Sequence, residues 1–269
     1  MRHPFFAAPR PQLFAHRGGS GIAPENTLHA FDAAIALGVD GLELDVRLSR
    51  DGVVVVHHDA SLARTTNVSV AVSSLTAAEL ARVDAACHFQ PVQPMSMAPP
   101  DASSRPLAGQ GIGVPALADV LSRYRDTRVI IELKENTPDL AAAVLQVVRA
   151  AGADERVCLG SFGQRVLRAA RRLAPHVATS AAREEVRWAL YRTWVHWPVR
   201  QVAYSGYQVP EIAGATRVVS RRFVEYAHAA GLGVQVWTVD TPEDATRLLG
   251  WGVDALISDR PDRLKPAMA

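Results

Sequence analysis

The sequence predicts an α/β protein folded as a (β/α)₈ barrel. Three observations predict it. Short apolar, strand-like runs alternate with helix-like segments along the chain, which is the pattern of βαβ units and a parallel sheet. Eight such runs remain once a valine-rich segment is set aside as a hairpin return. Two of the runs end in charged residues at alternate positions, where barrels of this kind carry their sites. The strand count alone also fits a doubly wound open sheet.

The first run is Leu13 to His16. A helix is expected from about Glu25 to Leu37, with Leu28, Phe31 and Ile35 at helical spacing and Gly38 placed to end it. Gly41 to Val46 form the second strand. Four valines (53–56) then lead into His57, His58 and Asp59. These valines cannot form a parallel neighbour, because a parallel crossover needs about a dozen residues or more and the link from Arg47 to Val53 is far shorter. Asp51-Gly52 is a hairpin turn signal, so the valines read as an antiparallel return. Residues 60 to about 115 interrupt the rhythm as an insertion. It holds a helix-like piece around Ala77 to Ala86 and a Pro/Met/Ser-rich stretch read as a loop over one mouth of the barrel. Strand runs resume at 129–133, 157–162, 176–181, 202–207, 234–239 and 255–259. Helices such as Leu140 to Ala150 and Phe223 to Ala230 separate them. The whole chain, 1–269, reads as one domain carrying that insertion.

With 269 residues, 48% of them hydrophobic, the chain can bury one sizeable core. Lysine plus arginine total 29 against 27 acidic residues, a balance that argues against a general nucleic-acid binder. Cys87 and Cys158 are too few for a disulfide framework and suit a reducing compartment. The first strand begins within about a dozen residues of the N-terminus, which leaves no room for a signal peptide. No apolar run approaches the roughly 20 residues of a membrane span. A soluble, cytoplasmic protein is expected.

Strand parity places the candidate chemistry. Side chains at i and i+2 share a face, so Glu43, Asp45 and Arg47 point one way and Leu42, Leu44 and Val46 the other. Pairing the hairpin across a two-residue Asp51-Gly52 turn sets Val46 opposite His57 and Asp45 opposite His58. That puts His58, rather than His57, on the carboxylate face, and a turn one residue longer would reverse the choice. Glu132 and Lys134 repeat the design at the end of the 129–133 run. Two alternate acids on a strand ordinarily mark a solvated face, and Glu132 with Lys134 an ordinary surface pair. On a barrel strand, however, such charge needs an ion partner. Glu43, Asp45 and Glu132 offer an all-oxygen site suited to Mg²⁺ or Ca²⁺. Zinc is disfavoured, since the cysteines occur singly and no HExxH spacing is present. His16 and Arg17 end the first strand and lead into a glycine-rich turn before a helix, a place where backbone N–H groups can meet an anion. A metal, two imidazoles and the cations Arg17 and Lys134 suit phosphoryl transfer.

These residues carry a resemblance. HRG (16–18), PENT (24–27), ELDVRLSRDGVVVVHHD (43–59), ELK (132–134), VWTVD (236–240) and GVDALISDRPD (252–262) are similar, in order, to the motifs of the glycerophosphodiester phosphodiesterase family. The resemblance implies a TIM barrel that cleaves a glycerophosphodiester, such as glycerophosphocholine, into sn-glycerol 3-phosphate and an alcohol. The attacking group would be water or the glycerol 2-hydroxyl. It further implies that His16 and His58 are the acid–base pair and that Glu43, Asp45 and Glu132 hold the divalent cation. Arg17 and Lys134 would grip the phosphate, and Trp237 would line the alcohol side. Asn26 falls in PENT, where helix capping explains it equally well. His57 departs from the family pattern, which has an apolar or small residue there, so an imidazole swap in mutants is conceivable. The small-molecule phosphodiester is the expected partner, and the oligomeric state is open.

Two further readings stand beside this one. Lysophospholipase D activity, with peripheral lipid contact, is motivated by WALYRTWVHW (188–197), in which Trp188, Tyr191 and Val195 lie at helical spacing beside Arg187 and Arg192. A helix packed on the barrel explains the same stripe. A silent phosphate- or lipid-binding barrel is disfavoured because every residue the chemistry needs is present. An aldolase-like metal enzyme would leave the paired histidines beside Arg17 and Lys134 unexplained.

Overall fold

The computed structural model describes residues 3–6, 11–90, 105–198 and 202–268. Eight parallel strands form the barrel wall: β1 (Gln12–Ala15), β2 (Gly41–Leu48), β4 (Arg128–Leu133), β5 (Val157–Gly160), β6 (Ala178–Thr179), β7 (Gly206–Pro210), β10 (Gly233–Trp237) and β11 (Ala255–Ser258). Their hydrogen-bonded order is β6-β5-β4-β2-β1-β11-β10-β7, and a parallel bridge from Ser180 to Gly206 joins the two ends. The barrel therefore closes, which excludes the open doubly wound sheet. Outside lie α1 (Leu28–Ala36), α3 (Leu117–Arg123), α4 (Pro138–Ala150), α5 (Gln164–Leu173), α6 (Arg183–Trp194), α7 (Arg221–Ala229), α8 (Pro242–Gly250) and α9 (Pro261–Leu264). The short strands β8 (Ile212–Ala213) and β9 (Thr216–Arg217) form a hairpin after β7. Threonine or serine hydroxyls cap several helices: Thr27 accepts from Ala30, Thr137 from Leu140, Ser220 from Phe223 and Thr241 from Asp244.

Alternation along β2 and β4 divides the residues between two cores. Leu42, Leu44, Val46, Val129, Ile131 and Leu133 face outward and pack with Phe31, Leu121 and Val144 of the helices. Ile130 faces inward and joins Phe5, Phe6, Phe14, Cys158 and Ile257 in the barrel interior. The Phe14 ring lies so close to Gly41 that a Cβ there would fall 2.3 Å from it, so glycine is what admits the ring. Apolar residues thus fill part of the interior, and the carboxylates stand at the strands' C-terminal ends. Phe31 is fully buried and meets Tyr124 edge-on at a centroid spacing of 6.1 Å. Truncating it, Phe31→Ala, is expected to cost about 3–5 kcal/mol in urea unfolding, whereas a loss under about 1 kcal/mol would remove Phe31 from the core account.

Three local expectations are corrected. β3 (Val54–Val56) does return antiparallel to β2, but Val46 opposes Val56 and Leu48 opposes Val54. The link is five residues, 49–53, one register step from the two-residue turn. Ser49 draws the chain into the longer turn, accepting from the Val53 N–H and donating to Asp51. The strand expected at 202–207 begins instead at Gly206, because Tyr204 and Tyr207 are buried as a hydroxyl-bonded pair 2.9 Å apart rather than along one strand face. The helix-like piece at 77–86 shortens to one turn, α2 (Ala77–Leu80), because Asp84 is drawn into turn bonds with the Ala86 and Gly109 N–H groups. The insertion packs its own small core, Val55 with Leu62, Val72, Leu80 and Val114, beside the hairpin. The proline-rich stretch read as a mouth loop falls mainly on 91–104, outside the described residues.

Candidate active site

Strand register brings the carboxylates together. Asp45 of β2 lies directly across the ladder from Glu132 of β4, and Glu43 sits one alternation earlier on the same face. Glu43, Asp45 and Glu132 each present an oxygen, and these oxygens lie within 4.8 Å of one another. The Lys134 ammonium is 2.9 Å from both Asp45 Oδ1 and Glu132 Oε2, and Arg17 Nε lies 3.2 Å from Asp45 Oδ2. All three predicted ligands and both predicted cations therefore meet at one point.

The imidazoles flank that point, and each is oriented by an aspartate. His16 Nδ1 is 2.7 Å from Asp259 Oδ1, and His58 Nδ1 is 2.6 Å from Asp59 Oδ1. These bonds leave both Nε2 atoms for the cavity, with His16 Nε2 3.8 Å from Glu43. The observed register, taken alone, would place His57 opposite Asp45. The His57 N–H does bond the Asp45 carbonyl at 2.9 Å, but regular strand ends at Val56. Beyond it the chain turns, the buried His57 ring lies 3.3 Å from the Ser61 carbonyl, and His58 lines the cavity instead. His58 is thus the cavity histidine, although the two-residue turn that selected it is not the one formed. Burial holds the His57 imidazole below its usual range, and it stands away from the carboxylates' cavity, so a swap of imidazoles has no geometric support.

Several contributors were not foreseen. Arg47 Nε donates to the His58 carbonyl at 3.0 Å, fixing the backbone where β3 ends. Arg64 bonds Asp59 and Glu25, and Glu25 in turn pairs with Arg17 at 3.0 Å, so the two halves of the mouth are tied by one ionic chain. Asn26 is not the helix cap; Thr27 is. Asn26 instead donates to Asp45 Oδ2 at 2.8 Å and accepts from the Asp45 N–H at 3.2 Å. It does so from the left-handed region, φ 59, where asparagine is tolerated. Arg17 is also left-handed, φ 52, and its N–H donates to Glu43 at 2.9 Å. Gly18, φ +84, lies so near Ala30 that a Cβ would come within 2.7 Å, which seats this turn on α1.

Electrostatics divide the acids. Burial first, and the Asp45 charge next, push the Glu43 carboxyl up to about 7. Burial would also raise Asp45, but Lys134 and Arg17 outweigh it and hold that carboxyl below its usual range. For His16 burial opposes the charged ring, yet Glu43 and Asp259 prevail and hold it at about 9. Asp259 is lowered despite its burial, chiefly by the His16 bond. The donor set fits a hard divalent cation: three clustered carboxylates, two of them buried, in a cluster that already draws an ammonium between two of its members. The cavity holds about 980 Å³ and is polar at the His16–His58 end. The apolar Phe162, Leu190, Ile212 and Val218 also line it, and Trp237, another lining residue, meets Phe162 edge-on at 6.0 Å.

Comparison with known proteins fits this geometry. The Glycerophosphoryl diester phosphodiesterase family matches residues 16–263. A glycerophosphodiester phosphodiesterase of Caldanaerobacter subterraneus subsp. tengcongensis is 32% identical over 262 residues, covering 94% of this chain and 95% of its own. A lysophospholipase D of Mus musculus is 35% identical over 135 residues, only 50% of this chain and 40% of its own. Among solved structures, an Oleispira antarctica phosphodiesterase in complex with the product sn-glycerol-3-phosphate superposes with a TM-score of 0.74 at 28% identity, covering 96% of each chain. With the match running from His16 past the last barrel strand, the chain belongs to the glycerophosphodiester phosphodiesterase family of phosphoric diester hydrolases.

Proposed function

We propose that the protein hydrolyses glycerophosphodiesters to sn-glycerol 3-phosphate and an alcohol, dependent on a divalent cation and using His16 and His58 as its acid–base pair. One observation carries this reading: two imidazoles, each anchored through Nδ1 by an aspartate, flank a single three-carboxylate cluster. Glu43, Asp45 and Glu132 would hold a cation such as Mg²⁺ or Ca²⁺, which when bound would supply positive charge for the phosphate oxygens and lower the pKa of a hydroxyl nucleophile. Arg17 and Lys134, already beside those carboxylates, bind and orient the phosphate. His16, whose Nδ1 is bonded to Asp259, gives its proton to the leaving alcohol, and His58 takes the proton of the attacking group, water or the glycerol 2-hydroxyl; in the second case water then opens the cyclic phosphate. Trp237 and the apolar lining residues receive the alcohol side. The reading treats 1–269 as one catalytic domain with its insertion. The free cysteines Cys87 and Cys158 agree with a cytoplasmic setting, and no helix among the described residues is long and apolar enough to cross a membrane. Incubation with glycerophosphocholine is expected to release choline and sn-glycerol 3-phosphate in equal amounts. Release of phosphocholine, or no cleavage, would overturn the assignment.

Glu43 also sets a pH dependence. In the cation-free protein it keeps its proton up to about pH 7, and a cation must displace that proton. Cation affinity should therefore rise as pH increases through about 7 and level off above it, with proton release on binding below that pH. Calorimetric titration of Mg²⁺ in two buffers of different ionisation enthalpy counts the protons. Affinity that is flat across this range contradicts the raised Glu43 carboxyl.

Lysophospholipase D activity is a second reading, favoured by the apolar lining residues Phe162, Leu190, Ile212 and Val218, which suit an acyl chain. Turnover of lysophosphatidylcholine matching or exceeding that of glycerophosphocholine would select it.

A further inference from the structure

Helix α6 shows solvent a face that is costly to leave in water. Its buried side is Ala189, Leu190 and Thr193. On the opposite side Trp188, Tyr191, Trp194 and Val195 are 63%, 48%, 60% and 48% exposed, and Trp197, just past the helix, is 60% exposed. Elsewhere among the described residues, large hydrophobic side chains are exposed singly or in nearby pairs. A cluster of this size marks a contact surface rather than random scatter. Its rings are held in place: Trp188 meets Tyr191 edge-on at 6.0 Å, and Arg192 lies over Trp197 at 5.7 Å.

The stretch of chain that carries this patch is basic in composition. Residues 164–229 contain eleven arginines, four glutamates and no aspartate or lysine, a net +7. The full chain carries +2, so everything outside that segment sums to −5. Arg168 and Arg172 of α5, Arg187 of α6 and Arg222 of α7 are exposed there. Of the four glutamates, Glu185 is paired with Arg171 at 2.7 Å and Glu211 with Arg217 and Arg247, while Glu184 and Glu225 are exposed. Tryptophan and tyrosine combine an apolar ring with a polar edge, and beside arginines they have the composition of a surface that seats at lipid head groups. The first turns of the same helix, at Arg183, Val186 and Arg187, also line the catalytic cavity, so the helix that carries the patch reaches the cavity rim.

We propose that the exposed face of α6 docks this protein on an anionic lipid bilayer, with Trp188, Tyr191, Trp194 and Trp197 at head-group level and the arginines of α5 to α7 against lipid phosphates. Docking in this pose sets the cavity rim next to the head-group layer. A second copy of the chain is the poorer occupant, because pairing this face with itself would bring two strongly basic segments together.

Vesicle flotation tests the proposal without any turnover, so its failure would leave the catalytic reading standing. Vesicles of phosphatidylcholine with roughly a third phosphatidylglycerol should carry the protein, and their tryptophan emission should shift to the blue. Pure phosphatidylcholine vesicles should bind it at least about tenfold more weakly, and so should the anionic vesicles at about 0.5 M salt. Joint substitution Trp188→Ser, Trp194→Ser and Trp197→Ser should reduce anionic-vesicle binding at least about tenfold, while cleavage of water-soluble glycerophosphocholine is unchanged. Equal partition of the wild type into neutral and anionic vesicles, or no binding with no emission shift, overturns the proposal. So does a wild-type dimer in solution that the triple substitution converts to monomer, which would assign the face to self-association.

Discussion

Replacing either His16 or His58 by alanine is expected to lower kcat for glycerophosphodiester cleavage by about 10²–10⁴-fold. The loss should be chemical rather than structural. The two side chains are 15% and 29% exposed, and each makes its main bond to an aspartate at the cavity, so truncation removes little of the packed core. The unfolding transition should accordingly stay close to that of the wild type. Because the two imidazoles serve different protons, both variants should fail and neither should rescue the other. Near-normal turnover in both variants, with the fold intact, would remove the pair from the mechanism.

Removing the divalent cation is expected to have an effect of similar size. Several kcal/mol of charge stabilisation leave with it, which is roughly 10³-fold or more in rate, and added Mg²⁺ or Ca²⁺ should restore turnover. Glu132 is the cleanest side chain with which to weaken the site. It is 21% exposed and pairs only with Lys134 among the ion pairs of the described residues, so Glu132→Gln should spare the fold and weaken cation affinity at least about tenfold. Asp45 is a poorer probe, because it also holds Arg17, Lys134 and Asn26, so its loss would disturb both cations and the Asn26 contact together with the cation site. Undiminished cleavage in excess chelator would contradict the account.

The site was legible in the sequence wherever its logic was strand parity. Glu43 with Asp45, and Glu132 with Lys134, are alternations a reader can count, and parallel register then carries them into contact. The same rule, an acid at the C-terminal end of a barrel strand, would have found Asp259 directly after Ser258 of β11, and adjacency to His58 would have found Asp59. Turns were less legible. The length of the hairpin loop depends on Ser49 bonding across it, a local competition that hydrophobic patterning does not report. His57 and His58 were separable only by where β3 stops. Asn26 sits before a helix in a capping sequence, and nothing local says that Thr27 caps while Asn26 reaches β2. The ionic chain through Arg64 joins residues about forty positions apart and is visible only in three dimensions.

The most direct test of the central claim is an anomalous-scattering map of crystals grown with Mn²⁺, measured at the manganese edge. The account predicts one strong peak among the carboxylates of Glu43, Asp45 and Glu132, at roughly 2–2.6 Å from an oxygen of each, with His16 and His58 on its flanks. A map without a peak there, or with the ion bound elsewhere and the three oxygens spread apart, would contradict it.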